Sequence, residues 1–84
     1  MRYSFPKARF VDCNNADDQF SHVKSELEEA INAETFDQFQ EEVMDLYHSL
    51  ETLFRIWERC GVDVDGIRKA VIDKNTDRQY YDCE

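Results

Sequence analysis

Proline and glycine are scarce in this chain: one and two, respectively, in 84 residues. An all-β design needs such residues at its tight reversals, so their scarcity argues against a sandwich or barrel and leaves helices as the default. Apolar runs are short as well. Nowhere do about eighteen apolar residues follow one another, so no membrane-crossing helix is expected and the protein should be soluble. Basic residues are outnumbered, 10 Lys and Arg against 19 Asp and Glu, for a formal net charge of −9 at pH 7. No basic face can dominate such a surface, which argues against nucleic-acid backbone or anionic lipid as a partner. Cysteines number three, Cys13, Cys60 and Cys83, without metal-type spacing and with no secretory signal ahead of them. Reduced thiols and a cytoplasmic location are the expectation.

What the chain does have is apolar periodicity. Residues 1–16 lack it, and are read as an extended N-terminal arm whose Tyr3, Phe5 and Phe10 pack over the end of a helical domain, 17–84. A first helix is predicted from Asp17 to Ala33, with Phe20, Val23, Leu27, Ala30 and Ile31 forming one stripe and Asn15, Asp17 and Asp18 offering capping oxygens. Thr35 followed by Gln38 is a capping-box pattern, so a second helix should begin there and run to Cys60, stopped by Gly61. Its seam, Phe36, Phe39, Val43, Leu46, Leu50, Leu53 and Trp57, alternates spacings of three and four. A third helix is predicted from Asp63 to Asp77 on the repeat of Val64, Ile67, Ala70 and Val71.

The long seam exceeds what the shorter first helix can cover, because helix length grows by about 1.5 Å per residue. A second copy of the chain is the simplest cover. The expected fold class is therefore all-α, short helices in a four-helix-bundle-type core completed by homo-oligomerisation, as a dimer or tetramer.

Two acidic couplets stand on the first two helices: Glu26 with Glu29, and Glu42 with Asp45, each three residues apart and beside the apolar stripe. Residues at that spacing share a helix side, so antiparallel packing would turn all four carboxylates into one groove. Like charges so placed repel unless a cation neutralises them. Magnesium, with manganese as its substitute, prefers oxygen ligands and commonly bridges carboxylates to substrate phosphates, so phosphoanhydride cleavage is the chemistry to expect. Lys74, Asn75 and Arg78, near the end of the third helix, offer a point charge, an amide and a planar fork for phosphate and for a base or sugar edge. His22 and His48 fall near the couplets, but neither spacing makes a zinc site, and both read as surface histidines.

The order E-x-x-E at Glu26 and Glu29, a spacer of twelve residues from Ala30 to Glu41, and E-x-x-D at Glu42 and Asp45 resembles the signature of the MazG-like, all-α nucleotide pyrophosphohydrolases. Leu27, Val43 and Leu46 match its aliphatic positions; Gly61-Val62-Asp63-Val64-Asp65 looks like its turn into the third helix, and Lys74-Asn75-Thr76-Asp77-Arg78 is similar to its K-N-x-x-R ending. The likeness covers roughly residues 17–81; it departs at Ser25, where many relatives carry another acid. The resemblance implies magnesium-dependent cleavage of a nucleoside triphosphate between the α and β phosphates. Glu26, Glu29, Glu42 and Asp45 would bind metal, and Lys74, Asn75 and Arg78 would bind nucleotide. Rival expectations are an acidic helical interaction protein such as a DNA mimic, an inactive scaffold, and an enzyme acting on phosphoribosyl-ATP.

Overall fold

The computed structural model describes residues 1–82, and those residues form helices and no strand. In chain order they are α1 (Phe10–Cys13), α2 (Ala16–Ile31), α3 (Phe36–Arg59) and α4 (Val64–Asp77). No helix among the described residues is long and apolar enough to cross a membrane. Cys13 and Cys60 are exposed and unbridged, whereas Cys83 and Glu84 lie outside the described residues.

Local chemistry accounts for the boundaries. The Asn15 side chain accepts from the Asp18 N–H at 2.8 Å, Thr35 from Gln38 at 3.1 Å, and Asp63 from Gly66 at 3.0 Å, so each long helix opens on a side-chain cap. Gln38 answers through Oε1, which accepts from Glu34 at 3.1 Å rather than from the cap residue itself. At the end of α3, Gly61 adopts φ +90°, the Gly61 N–H reaches the Glu58 carbonyl at 3.0 Å, and the Val62 N–H reaches Trp57 at 2.9 Å. This pair of bonds is a Schellman closure, which needs a residue that tolerates positive φ.

α2 and α3 form an antiparallel hairpin, with Gln19 bonded to Ser49 at one end and Glu26 beside Glu42 further along. The buried face of α2 is not the one that apolar content alone indicates. Gln19, Val23 and Ala30 are buried and Glu26 is half-buried, whereas Phe20, Leu27 and Ile31 are 64%, 46% and 69% exposed. On α3 the buried residues cluster late, at Ser49, Leu53 and Ile56, while Phe36, Phe39 and Val43 stay exposed. The apolar stripe of each helix is wider than a single neighbour covers.

The arm explains the asymmetry of α3. Residues 10–13, expected to be extended, form the single turn α1, which buries Val11. The preceding residues are tied to a polar row on α3. Glu51, 2% exposed, accepts from the backbone N–H groups of Ser4 and Phe5 at 2.9 to 3.0 Å. Arg55 donates to the Phe5 carbonyl at 2.9 Å with its guanidinium 4.2 Å from the Tyr3 ring centre, and Arg59 donates to the carbonyls of Val11 and Asn14. Phe5 completes the contact by stacking on His48, ring centres 4.6 Å apart.

α4 packs on α3 through buried Val64. Its remaining apolar residues, including Ile67 and Val71, line a groove of about 290 Å³ with Phe54 and Trp57.

Candidate metal centre

Glu26 and Glu29 come from α2 and Glu42 from α3, and one carboxylate oxygen of each lies within 4.8 Å of the other two. The geometry follows from the hairpin. Position 26 belongs to the face of α2 that meets α3, position 29 lies less than one turn away, and Glu42 stands in the first half of α3 directly opposite.

The electrostatics are those of crowded acids. Burial, then the Glu29 carboxylate, holds Glu26 above the usual carboxylate range; His22 opposes the shift and Asp45 adds to it. Glu42 is raised by burial first, then by Glu29 and more weakly by Asp45 and Glu41. His22 Nε2 lies 3.1 Å from Glu26 Oε1. The other oxygen of Glu26, Oε2, is buried with no hydrogen-bond partner among the described residues, and so is Oε2 of Glu42. Buried carboxylate oxygens without partners are costly, and a bound cation would relieve that cost together with the repulsion among the acids.

Three of the four expected ligands are thus assembled. Asp45 is not part of the close trio, but it lines a cleft of about 200 Å³ together with Glu26, next to the acids. Lys74, Asn75 and Arg78 are elsewhere: they occupy the last turn and C-cap of α4, and none of them lines that cleft. Asn75 instead faces Tyr81, with the amide 3.5 Å from the phenol oxygen.

Two residues prove more involved than their spacing indicates. His48 is not a free surface group: it is half-buried under Phe5, lines the cleft, and leaves Nε2 buried and unpartnered. Gln19, 1% exposed, forms the inner wall, donating to the Ser49 carbonyl at 3.1 Å. The only sequence signal for either is its place in the row 19, 23, 26, 30 on α2 or three residues after Asp45.

The donor set is all carboxylate oxygen, which suits magnesium or manganese and not the softer metals that favour sulfur or imidazole. None of the protein families, curated proteins or solved structures compared matches this chain.

Proposed function

We propose that the protein is a magnesium-dependent nucleoside triphosphate pyrophosphohydrolase, cleaving the bond between the α and β phosphates to give a monophosphate and pyrophosphate. One observation carries the reading: three carboxylates from two helices converge within 4.8 Å, two of them with a buried oxygen that has no partner. The residues present fit a hard divalent cation. Glu26, Glu29 and Glu42 would hold it, and Asp45 would complete the set from the adjoining wall. Bound there, the cation supplies charge neutralisation and Lewis acidity toward a phosphoryl oxygen.

The chain itself does the rest. Carboxylates that are not engaged with the cation orient the attacking water in line with the scissile bond and accept its proton. Lys74, Asn75 and Arg78 bind the phosphate tail and the sugar or base edge. Because they do not line the cleft of their own subunit, they reach it from a second copy, in a homodimer or homotetramer whose bundle core is completed by the exposed faces of α2 and α3. Phe36, Phe39 and Val43 on α3, with Leu27 and Ile31 on α2, are the exposed apolar residues that such a copy would cover.

The test is incubation with a panel of ribo- and deoxyribonucleoside triphosphates with and without magnesium, reading pyrophosphate release. Release that requires magnesium and is abolished by Glu42→Gln supports the reading. Absence of pyrophosphate from every triphosphate overturns it.

A further inference from the structure

α4 covers α3 incompletely. Val64 is buried, but Ile67 and Val71, three and seven residues further along the same side of the helix, are 49% and 43% exposed. Between the two helices lies the groove of about 290 Å³, walled by Ile67, Val71 and Ile72 from α4 and by Phe54 and Trp57 from α3. The two rings pack on each other with centres 5.6 Å apart. Arg68 is the charged side chain among those that line the groove.

That arginine marks one end. It also lines an adjoining cavity of about 430 Å³, together with Arg2 and Asp65. Asp65 is engaged there by the Met1 ammonium at 3.0 Å, and neither arginine pairs with a carboxylate among the described residues. In a chain of net charge −9, an apolar groove thus ends in positive charge that has no fixed acidic partner.

An occupant that fits is apolar along its length and anionic at one end. Both walls are helix sides whose backbone groups are bonded within the helices, so an extended peptide would leave its own N–H and C=O groups unmet. A hydrocarbon chain has none to satisfy. The volume sits at the lower edge of the roughly 300–1,000 Å³ usual for small-molecule sites, which favours a short chain. The acidity of the whole chain favours a head with one negative charge over a phosphate monoester with nearly two.

We propose that the groove between α3 and α4 binds a medium-chain fatty acid, with the alkyl chain against Trp57, Ile67 and Val71 and the carboxylate at Arg68. It shares no lining residue with the acidic trio or with the cleft beside it, so it stands independently of the hydrolase reading. Burial of methylene groups supplies the affinity, and the guanidinium fixes the direction of the chain.

Trp57 is the single tryptophan, so its emission reports occupancy of the groove. Octanoate is titrated into the full chain below its micellar range, beside hexanoate, octanol and octylammonium. Octanoate should shift the emission saturably and bind about four- to fifteenfold more tightly than hexanoate, the weight of two partly to fully buried methylenes. Over octanol its advantage should be about two- to fivefold, as for an exposed ion pair. Arg68 is exposed, so Arg68→Glu should fold as the parent does, and it should reverse the order of heads to favour octylammonium. Val71→Asp should weaken all three eight-carbon ligands about tenfold or more, while the magnesium-induced rise in Tm is kept. Emission that octanoate leaves unchanged overturns the proposal, as does a head-group order that Arg68→Glu does not alter. Emission that shifts on protein dilution alone, with octanoate silent, also overturns it and assigns the groove to a second copy of the chain.

Discussion

The buried carboxamide of Gln19 donates to the backbone carbonyl of Ser49 across the α2–α3 interface at 3.1 Å. A side chain bonded to another helix's backbone sets the register of the pair whatever residue stands at the acceptor position. That register brings Glu26 level with Glu42.

Gln19→Ala should therefore lower the free energy of unfolding by about 1–3 kcal/mol, the range for losing a buried partner, as measured by urea denaturation. The same variant should weaken the response to magnesium, since the two halves of the acidic trio lose their alignment. A Gln19→Ala chain as stable as the parent would remove the register argument.

Magnesium should stabilise the parent and not Glu26→Gln or Glu42→Gln. With a dissociation constant on the order of 1 mM and 10 mM ion, linkage gives about 1.4 kcal/mol, or roughly 5–10 °C in Tm for a chain of this size. In the absence of divalent ions the order reverses: either glutamine variant relieves repulsion and should melt above the parent. Thermal melts with and without the ion distinguish the two arms.

The pH response should have two limbs of opposite sign. Glu26 and Glu42 bind protons more tightly folded than unfolded, so in the metal-free protein their stabilising contribution is present at low pH and is lost as pH rises through their raised values. Glu51 behaves in the opposite way. Burial pushes it up, but hydrogen bonds from the Ser4 and Phe5 backbone, with the Ser4 and Tyr47 side chains, outweigh that and leave it below its ordinary 4.5. Its contribution is present above that ordinary value and disappears as pH falls through the lowered one. Tm of the metal-free protein should rise as pH falls from neutral through the raised values of Glu26 and Glu42 and fall again as pH drops below 4.5 through the lowered value of Glu51, and Glu51→Gln should blunt only the acid limb. A monotonic profile would contradict the pairing of these groups.

Removing the Glu51 carboxylate should free the arm. Glu51→Ala leaves the Ser4 and Phe5 N–H groups without their shared acceptor, a loss of about 1.5–3 kcal/mol for hydrogen bonds to a charged group. Hydrogen exchange at residues 4 and 5 should accelerate well before exchange in the α2–α3 hairpin. Unchanged protection there would show that Glu51 does not anchor the arm.

If Arg78 acts across a subunit boundary, Glu42→Gln and Arg78→Ala chains should complement each other. Each is expected to be nearly inactive alone. Remixed at equal ratio after unfolding, they should regain about a quarter of parental activity, since half of random dimers are mixed and one of two sites in each is intact. No recovery would place the basic group in its own subunit or outside the reaction.

Much of the fold could be read from residue order because its determinants are local. Thr35 with Gln38, Asp63 with Gly66 and the glycine after Cys60 each act within four residues, so the boundaries of α3 and α4 fall within a residue of expectation. The convergence of Glu26, Glu29 and Glu42 was readable for the same reason, since a short link forces two helices antiparallel. The contacts that position the arm were not. Ser4 and Glu51 are 47 residues apart, and nothing in either marks the other. Nor did composition reveal which flank of a wide apolar stripe turns inward: in α2 the inner row includes Gln19 and Glu26 while Phe20 and Ile31 face out. Burial of a glutamine that reaches a carbonyl, and of an acid among acids, depends on partners that periodicity does not encode.

The inward setting of Glu26 makes the hairpin self-opposing. At a position where an aliphatic residue would knit the two helices, the chain carries a group whose charge drives them apart, so the helices should separate first at this level and last at the level of buried Gln19 and its bond to Ser49. An ion held there acts as a removable rivet, and its arrival or departure sets how readily the hairpin breathes.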